Sequence, residues 1–113
     1  MGGGISGALI AHYLIECGIN CTIVDARSIG LGSTCASTSL LQYEIDVPLH
    51  HLIKMRGEYP AVRSYELCLA SIGILKQIAN KIHANSFDIT RSLYYAAYKK
   101  HREFIETEFS CRN

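Results

Sequence analysis

Neither sign of charge dominates this chain of 113 residues: 11 Lys and Arg stand against 10 Asp and Glu. That balance gives no electrostatic case for nucleic acid or an anionic membrane surface as a partner. No apolar run approaches the roughly 20 residues needed to cross a bilayer. Tryptophan is absent, and proline occurs only at Pro48 and Pro60, so few positions are barred from helix by a missing N–H. Cys17, Cys21, Cys35, Cys68 and Cys111 are odd in number and form no C-x-x-C pair. This argues against a disulfide framework or a cysteine-based zinc site and fits the reduced thiols of the cytoplasm. His50-His51 has only Asp46 near it at ligand spacing, and adjacent helical residues point apart, so the pair reads as a polar helix start and no metal is expected. There is no internal repeat and no low-complexity tract. A chain of this length is one modest domain or a piece of a larger one, burying somewhat under ~70% of its unfolded surface.

Glycine is what the chain does have, and it has it at the start. Gly2, Gly4 and Gly7 form G-x-G-x-x-G, with Ala11 and Gly18 continuing at helical spacing and Asp25 following. Glycines at the first positions allow a tight turn and let a pyrophosphate approach peptide N–H groups without meeting a Cβ. The turn opens a helix whose first N–H groups are unpaired and partly positive. Gly2, Gly4, Ile5, Ser6 and Gly7 are therefore the candidate phosphate contacts. Gly18 stops the helix, and Cys21-Thr22-Ile23-Val24 reads as a short buried strand ending at Asp25, whose carboxylate can accept from ribose hydroxyls. Met1-Gly2-Gly3-Gly4-Ile5-Ser6 also fits a loose myristoylation pattern, and Ile5–Ala11 a short signal core without a basic start. The glycine turn accounts for both better. Asn20-Cys21-Thr22 is a glycosylation sequon by chance, since it falls in the expected strand.

Further along, helix is expected over Gly4–Cys17, Leu49–Met55 and Ala61–Ile82, with Gly57 and Pro60 as breakers. Val62, Tyr65, Leu69, Ile72, Leu75, Ala79 and Ile82 recur at steps of three or four, the stripe of a helix packed on one side. His83–Ser86 reads as a connector, and Ser92-Leu93-Tyr94-Tyr95-Ala96 as a strand in which a packed tyrosine is expected. Lys99–Phe109 reads as a last amphipathic helix and Ser110–Asn113 as a frayed tail. Between Arg27 and Ser39 the chain is dense in Gly, Ser and Thr, a composition that suits phosphate contacts where it follows the acid.

Three stretches together give the chain a family likeness: Gly2-Gly3-Gly4-Ile5-Ser6-Gly7, Ile23-Val24-Asp25, and Gly32-Ser33-Thr34-Cys35-Ala36-Ser37-Thr38-Ser39-Leu40-Leu41. With Ser92–Ala96 they resemble the FAD-dependent oxidoreductases of the D-amino acid oxidase, glycine oxidase and sarcosine oxidase superfamily. The resemblance implies an α/β, Rossmann-like FAD-binding fragment lacking its first strand, with helices and the first elements of a substrate domain. Residues 1–83 would then be the partial FAD-binding domain and 84–113 the start of the substrate domain. By the same resemblance Asp25 holds the adenosine ribose, and Ala26 and Arg27 lie beside the adenine. Ser33 and Thr34 contact the pyrophosphate side, while Ser37, Thr38 and Leu40 approach the isoalloxazine ring. The family commonly has an Ala-Gly pair where this chain has Thr38-Ser39.

The implied reaction is hydride removal from a small amine, amino acid or hydroxy compound to FAD, then electron passage to oxygen or another acceptor. No catalytic residue is assigned. The missing first strand predicts that the chain alone binds FAD weakly or not at all. Two other readings stand beside this one: an inactive remnant or small interaction module without cofactor, and an NAD-binding dehydrogenase domain. The Ser33–Leu41 tract argues against the latter.

Overall fold

The computed structural model describes residues 2–113. Their ordered elements are helices α1 (Ile5–Glu16), α2 (Leu49–Arg56), α3 (Glu58–Lys81) and α4 (Arg102–Arg112), with a 3-10 turn at Lys99–His101 leading into α4. The chain forms two compact units, Met1–Leu40 and Leu41–Asn113. No described helix is long and apolar enough to cross a membrane.

In the first unit, α1 runs within a residue of its expected bounds and ends where Gly18 allows it to. Gly18 takes φ +74°, and the N–H groups of Gly18 and Ile19 donate to the Ile15 and Leu14 carbonyls at 2.9 Å each. That pair of bonds around a left-handed residue satisfies carbonyls that the helix end would otherwise leave open.

In the second unit, Gly57 both ends α2 and starts α3, at φ +87°, a backbone that a side chain would oppose. Pro60 does not break the helix. It lies in the first turn of α3, where a residue's N–H has no intrahelical acceptor, so the absence of that N–H costs nothing. The core gathers Leu49, Ala61 and Tyr65, with Tyr43, Ile45, Leu52, Ile53, Val62 and Cys111 packed around them. The α3 stripe is therefore buried only in part. Tyr65 and Ala79 are covered, whereas Leu69 and Ile82 are exposed, and the core shared with α2 gathers only Ala61, Val62 and Tyr65 from α3. The expected frayed tail is also corrected: helix continues to Arg112, which is pinned by its side-chain contacts.

The α/β, Rossmann-like expectation is overturned. Among the described residues there is no strand and no sheet. Cys21–Val24 and Ser92–Ala96 are non-helical, but neither finds a neighbouring strand. Apolar and β-branched residues favour an extended backbone, yet a strand exists only where a second chain segment supplies the ladder of N–H and C=O partners. Val24 is exposed and so are Tyr94 and Tyr95, so the packed tyrosine expected in that segment is not found.

Candidate functional site

The glycine turn meets its helix as closely as the sequence pattern requires. A Cβ on Gly7 would collide with the Gly2 carbonyl oxygen, so the turn closes in this form only with glycine at position 7. Of the donors at the start of α1, the N–H groups of Ser6 and Gly7 carry no acceptor among the described residues, and the Ala8 N–H returns to the Gly4 carbonyl at 3.0 Å. The helix has no capping bond from its own N-cap residue, Gly4.

Residues 25–34 return to this turn. Asp25 accepts from the Gly3 N–H through Oδ2 at 2.8 Å and from the Arg27 N–H through Oδ1 at 3.0 Å. The Arg27 and Gly3 backbone donors together hold the carboxyl below its ordinary range. A carboxylate offers about four lone-pair positions, so two remain for further donors. The Gly30 N–H donates to the Gly3 carbonyl at 3.0 Å, and the Thr34 hydroxyl accepts from the Ile5 N–H at 3.0 Å.

Of the residues singled out in the sequence, the structure thus brings Gly2, Gly4, Ile5, Ser6, Gly7, Asp25, Arg27 and Thr34 to one place. Ala26 and Ser33 lie exposed beside them in the chain. Ser37, Thr38 and Leu40 are exposed and make no link to the turn; the Ser37 hydroxyl instead accepts from the Ser39 N–H at 3.0 Å. Ser39 itself takes φ +59°, in the left-handed region. Ile29 and Gly30, which cover Gly3, are not marked by the glycine pattern.

The second unit holds a polar cluster that sequence reasoning missed altogether. Glu108, 1% exposed, accepts from the Leu49 N–H at 2.8 Å, the His50 N–H at 3.0 Å and the His50 Nδ1 at 2.6 Å. Arg112 donates to the same carboxylate at 2.8 Å and reaches Glu44 at 3.2 Å. Burial alone would raise the Glu108 carboxyl, but the donors from His50, Leu49 and Arg112 outweigh it and bring the pKa down to about 2. The Arg112 guanidinium sits 5.3 Å from the Tyr65 ring and 5.7 Å from those of Tyr43 and Tyr94. Its burial is likewise outweighed by the Glu108, Tyr43 and Glu44 acceptors, which hold it above its usual value. An open cleft of about 320 Å3 lies beside it, lined in part by Glu44, Asp46, Tyr65 and Tyr94. No residue of the glycine turn lines that cleft. His50 is thus a buried partner of Glu108. The signal for this cluster was in the sequence. Pro48 precedes α2 and no acidic residue lies in its first turn, so its leading N–H groups need an acceptor from elsewhere.

Over residues 1–112 the chain matches the FAD dependent oxidoreductase family, and it belongs to that family. No curated protein and no solved structure matches it.

Proposed function

We propose that this chain is the FAD-binding portion of an oxidoreductase acting on a small amine, amino acid or hydroxy compound. Family membership supports FAD as the cofactor, and one observation in the chain supports where it binds. The Ser6 and Gly7 N–H groups stand without acceptors among the described residues, at the start of a 12-residue helix and beside a turn whose Gly2, Gly3 and Gly4 carry no Cβ. Two such donors, backed by the partial positive charge of the helix start, suit a diphosphate. Gly2, Gly4, Ile5, Ser6 and Gly7 take the phosphates in this reading. Asp25 uses its remaining lone pairs for ribose hydroxyls, with Ala26 and Arg27 toward the adenine. Ser33 and Thr34 lie on the pyrophosphate side, and Ser37, Thr38 and Leu40 continue toward the flavin ring. FAD, when bound, supplies the acceptor for hydride removed from a carbon bearing nitrogen or oxygen. The proposed division places the cofactor portion in residues 1–83 and the start of the substrate portion in 84–113.

Binding is expected to be weak, because the chain's own side chains already fill part of the turn. The test is an equilibrium FAD titration of the unaltered chain and of three variants, with helix content checked separately. Asp25→Ala removes the ribose acceptor and Gly4→Val puts a branched side chain against the phosphate path; both bind FAD several-fold more weakly than the unaltered chain. Asp46→Ala, outside the proposed contacts, binds as the unaltered chain does. Equal affinity across all three variants, or no binding to the unaltered chain, overturns the reading.

A further inference from the structure

Two non-helical stretches of the second unit, 42–46 and 91–96, make no backbone hydrogen bond among the described residues. Both line the open cleft beside Arg112. The second is apolar as well as unpaired, with Leu93, Tyr94 and Tyr95 all exposed. Free N–H and C=O groups beside apolar side chains are the template on which another segment adds as a strand. Within one chain the two stretches do not serve each other. The Arg112 guanidinium lies 5.7 Å from the Tyr43 ring of the first and 5.7 Å from the Tyr94 ring of the second, in the space that direct pairing would need.

Charge selects the segment that fits. Arg91 opens the second stretch and Lys99 and Lys100 follow it, whereas the first holds Glu44 and Asp46. Two copies of 91–96 laid antiparallel about Tyr95 would bring Arg91 opposite Lys99, and like charges directly opposite destabilise a ladder. Laid antiparallel on 42–46 of another copy, the same stretch brings Arg91 opposite Asp46. Both side chains are exposed, and neither enters an ion pair among the described residues.

We propose that the second unit docks a second copy of this chain, with 42–46 of each copy paired to 91–96 of the other. The two contacts are equivalent, so the assembly closes as a two-fold dimer and does not grow into a filament. The backbone ladder supplies the attraction, and the Asp46–Arg91 pairs set its register. Nothing in this depends on the cofactor.

Two measurements test this. The first is sedimentation equilibrium of the whole chain over a wide range of concentration, in which the mass rises from 12.5 kDa toward twice that value. Asp46→Lys and Arg91→Glu, studied singly, each place like charges at both contacts and weaken association roughly tenfold. Mixed together they associate as the unaltered chain does, because one contact regains the original charges and the other carries them exchanged. That recovery also shows that both variants are folded. The second measurement is amide hydrogen exchange by NMR on the unaltered chain, in which 42–46 and 91–96 gain protection together as concentration rises. A mass of 12.5 kDa at every concentration overturns the proposal. So does a dimer that ignores both substitutions, or variants whose mixture stays monomeric. Protection of 91–96 without 42–46 means that this stretch pairs with itself or with another occupant, and overturns the proposal equally.

Discussion

Glu108 is the most buried charged side chain among the described residues and gathers partners from α2 and α4. One buried carboxylate serves two backbone N–H groups, an imidazole and a guanidinium, so removing its charge leaves several buried donors without a partner. Breaking such an arrangement from one side typically costs about 3–5 kcal/mol. Glu108→Gln keeps the size but loses the charge, and its amide group faces donors with donors. Urea denaturation followed at 222 nm is expected to show a loss of about 3 kcal/mol; a shift within experimental error would mean that the cluster forms without contributing to stability. The pH dependence has a defined sign. The folded pKa of about 2 lies below the usual carboxyl value of 4.5, so the stabilisation is complete above pH 4.5 and lost as pH falls from there toward 2. The same denaturation series run from about pH 7 to about pH 2.5 should be flat at first and then fall, and the fall should be smaller in Glu108→Gln.

Helices are legible in the sequence because their signals are local. The Gly18 stop and the Gly57 break each act within a turn or two of chain and mark real helix ends. Of the stripe Val62, Tyr65, Leu69, Ile72, Leu75, Ala79 and Ile82, by contrast, the structure covers Tyr65 and Ala79 and exposes Leu69 and Ile82. Pro60 reads as a breaker in the sequence because the residue that disrupts a helix interior is the same one that a first turn accepts. The strands are illegible for the opposite reason. Cys21–Val24 has the residues of a strand, but pairing is a property of two segments, and its own composition cannot state whether a second is there. The glycine turn can be placed from its spacing, and the structure shows its contacts with Asp25 and Thr34. The bonds that Gly30 and Thr34 make cannot be placed in that way, since a Gly- and Ser-rich tract carries no period from which to count.

Taken whole, the molecule covers little of its apolar surface. Ala11, Leu49, Ala61, Tyr65 and Ala79 are the buried hydrophobic residues among those described, while Leu93 is 82% and Leu40 71% exposed. Unfolding therefore exposes little new surface, and the denaturant slope scales with that change. A urea m-value at or below about 1 kcal/mol/M, the low end for small proteins, is expected. The native chain at neutral pH should also raise the fluorescence of a dye such as ANS, which binds accessible apolar surface. A steep cooperative transition with no dye binding would show that the apolar segments are covered in solution.

Ser39 gives the tract after Thr34 a handedness its own side chain opposes. An L-residue at φ +59° sets its Cβ against the following carbonyl at a cost of about 1–2 kcal/mol, whereas glycine holds the same angle freely. The resemblance would put the glycine of an Ala-Gly pair at this position, and glycine would hold the angle without opposition. Ser39→Gly should then raise the urea midpoint, a gain in unfolding free energy of about 0.5 kcal/mol once glycine's greater freedom in the unfolded chain is subtracted. Ser39→Ala should not. Most substitutions in a marginal protein lower its stability; at this position the smaller residue relaxes the chain, so a library selected for tighter folding should enrich glycine here.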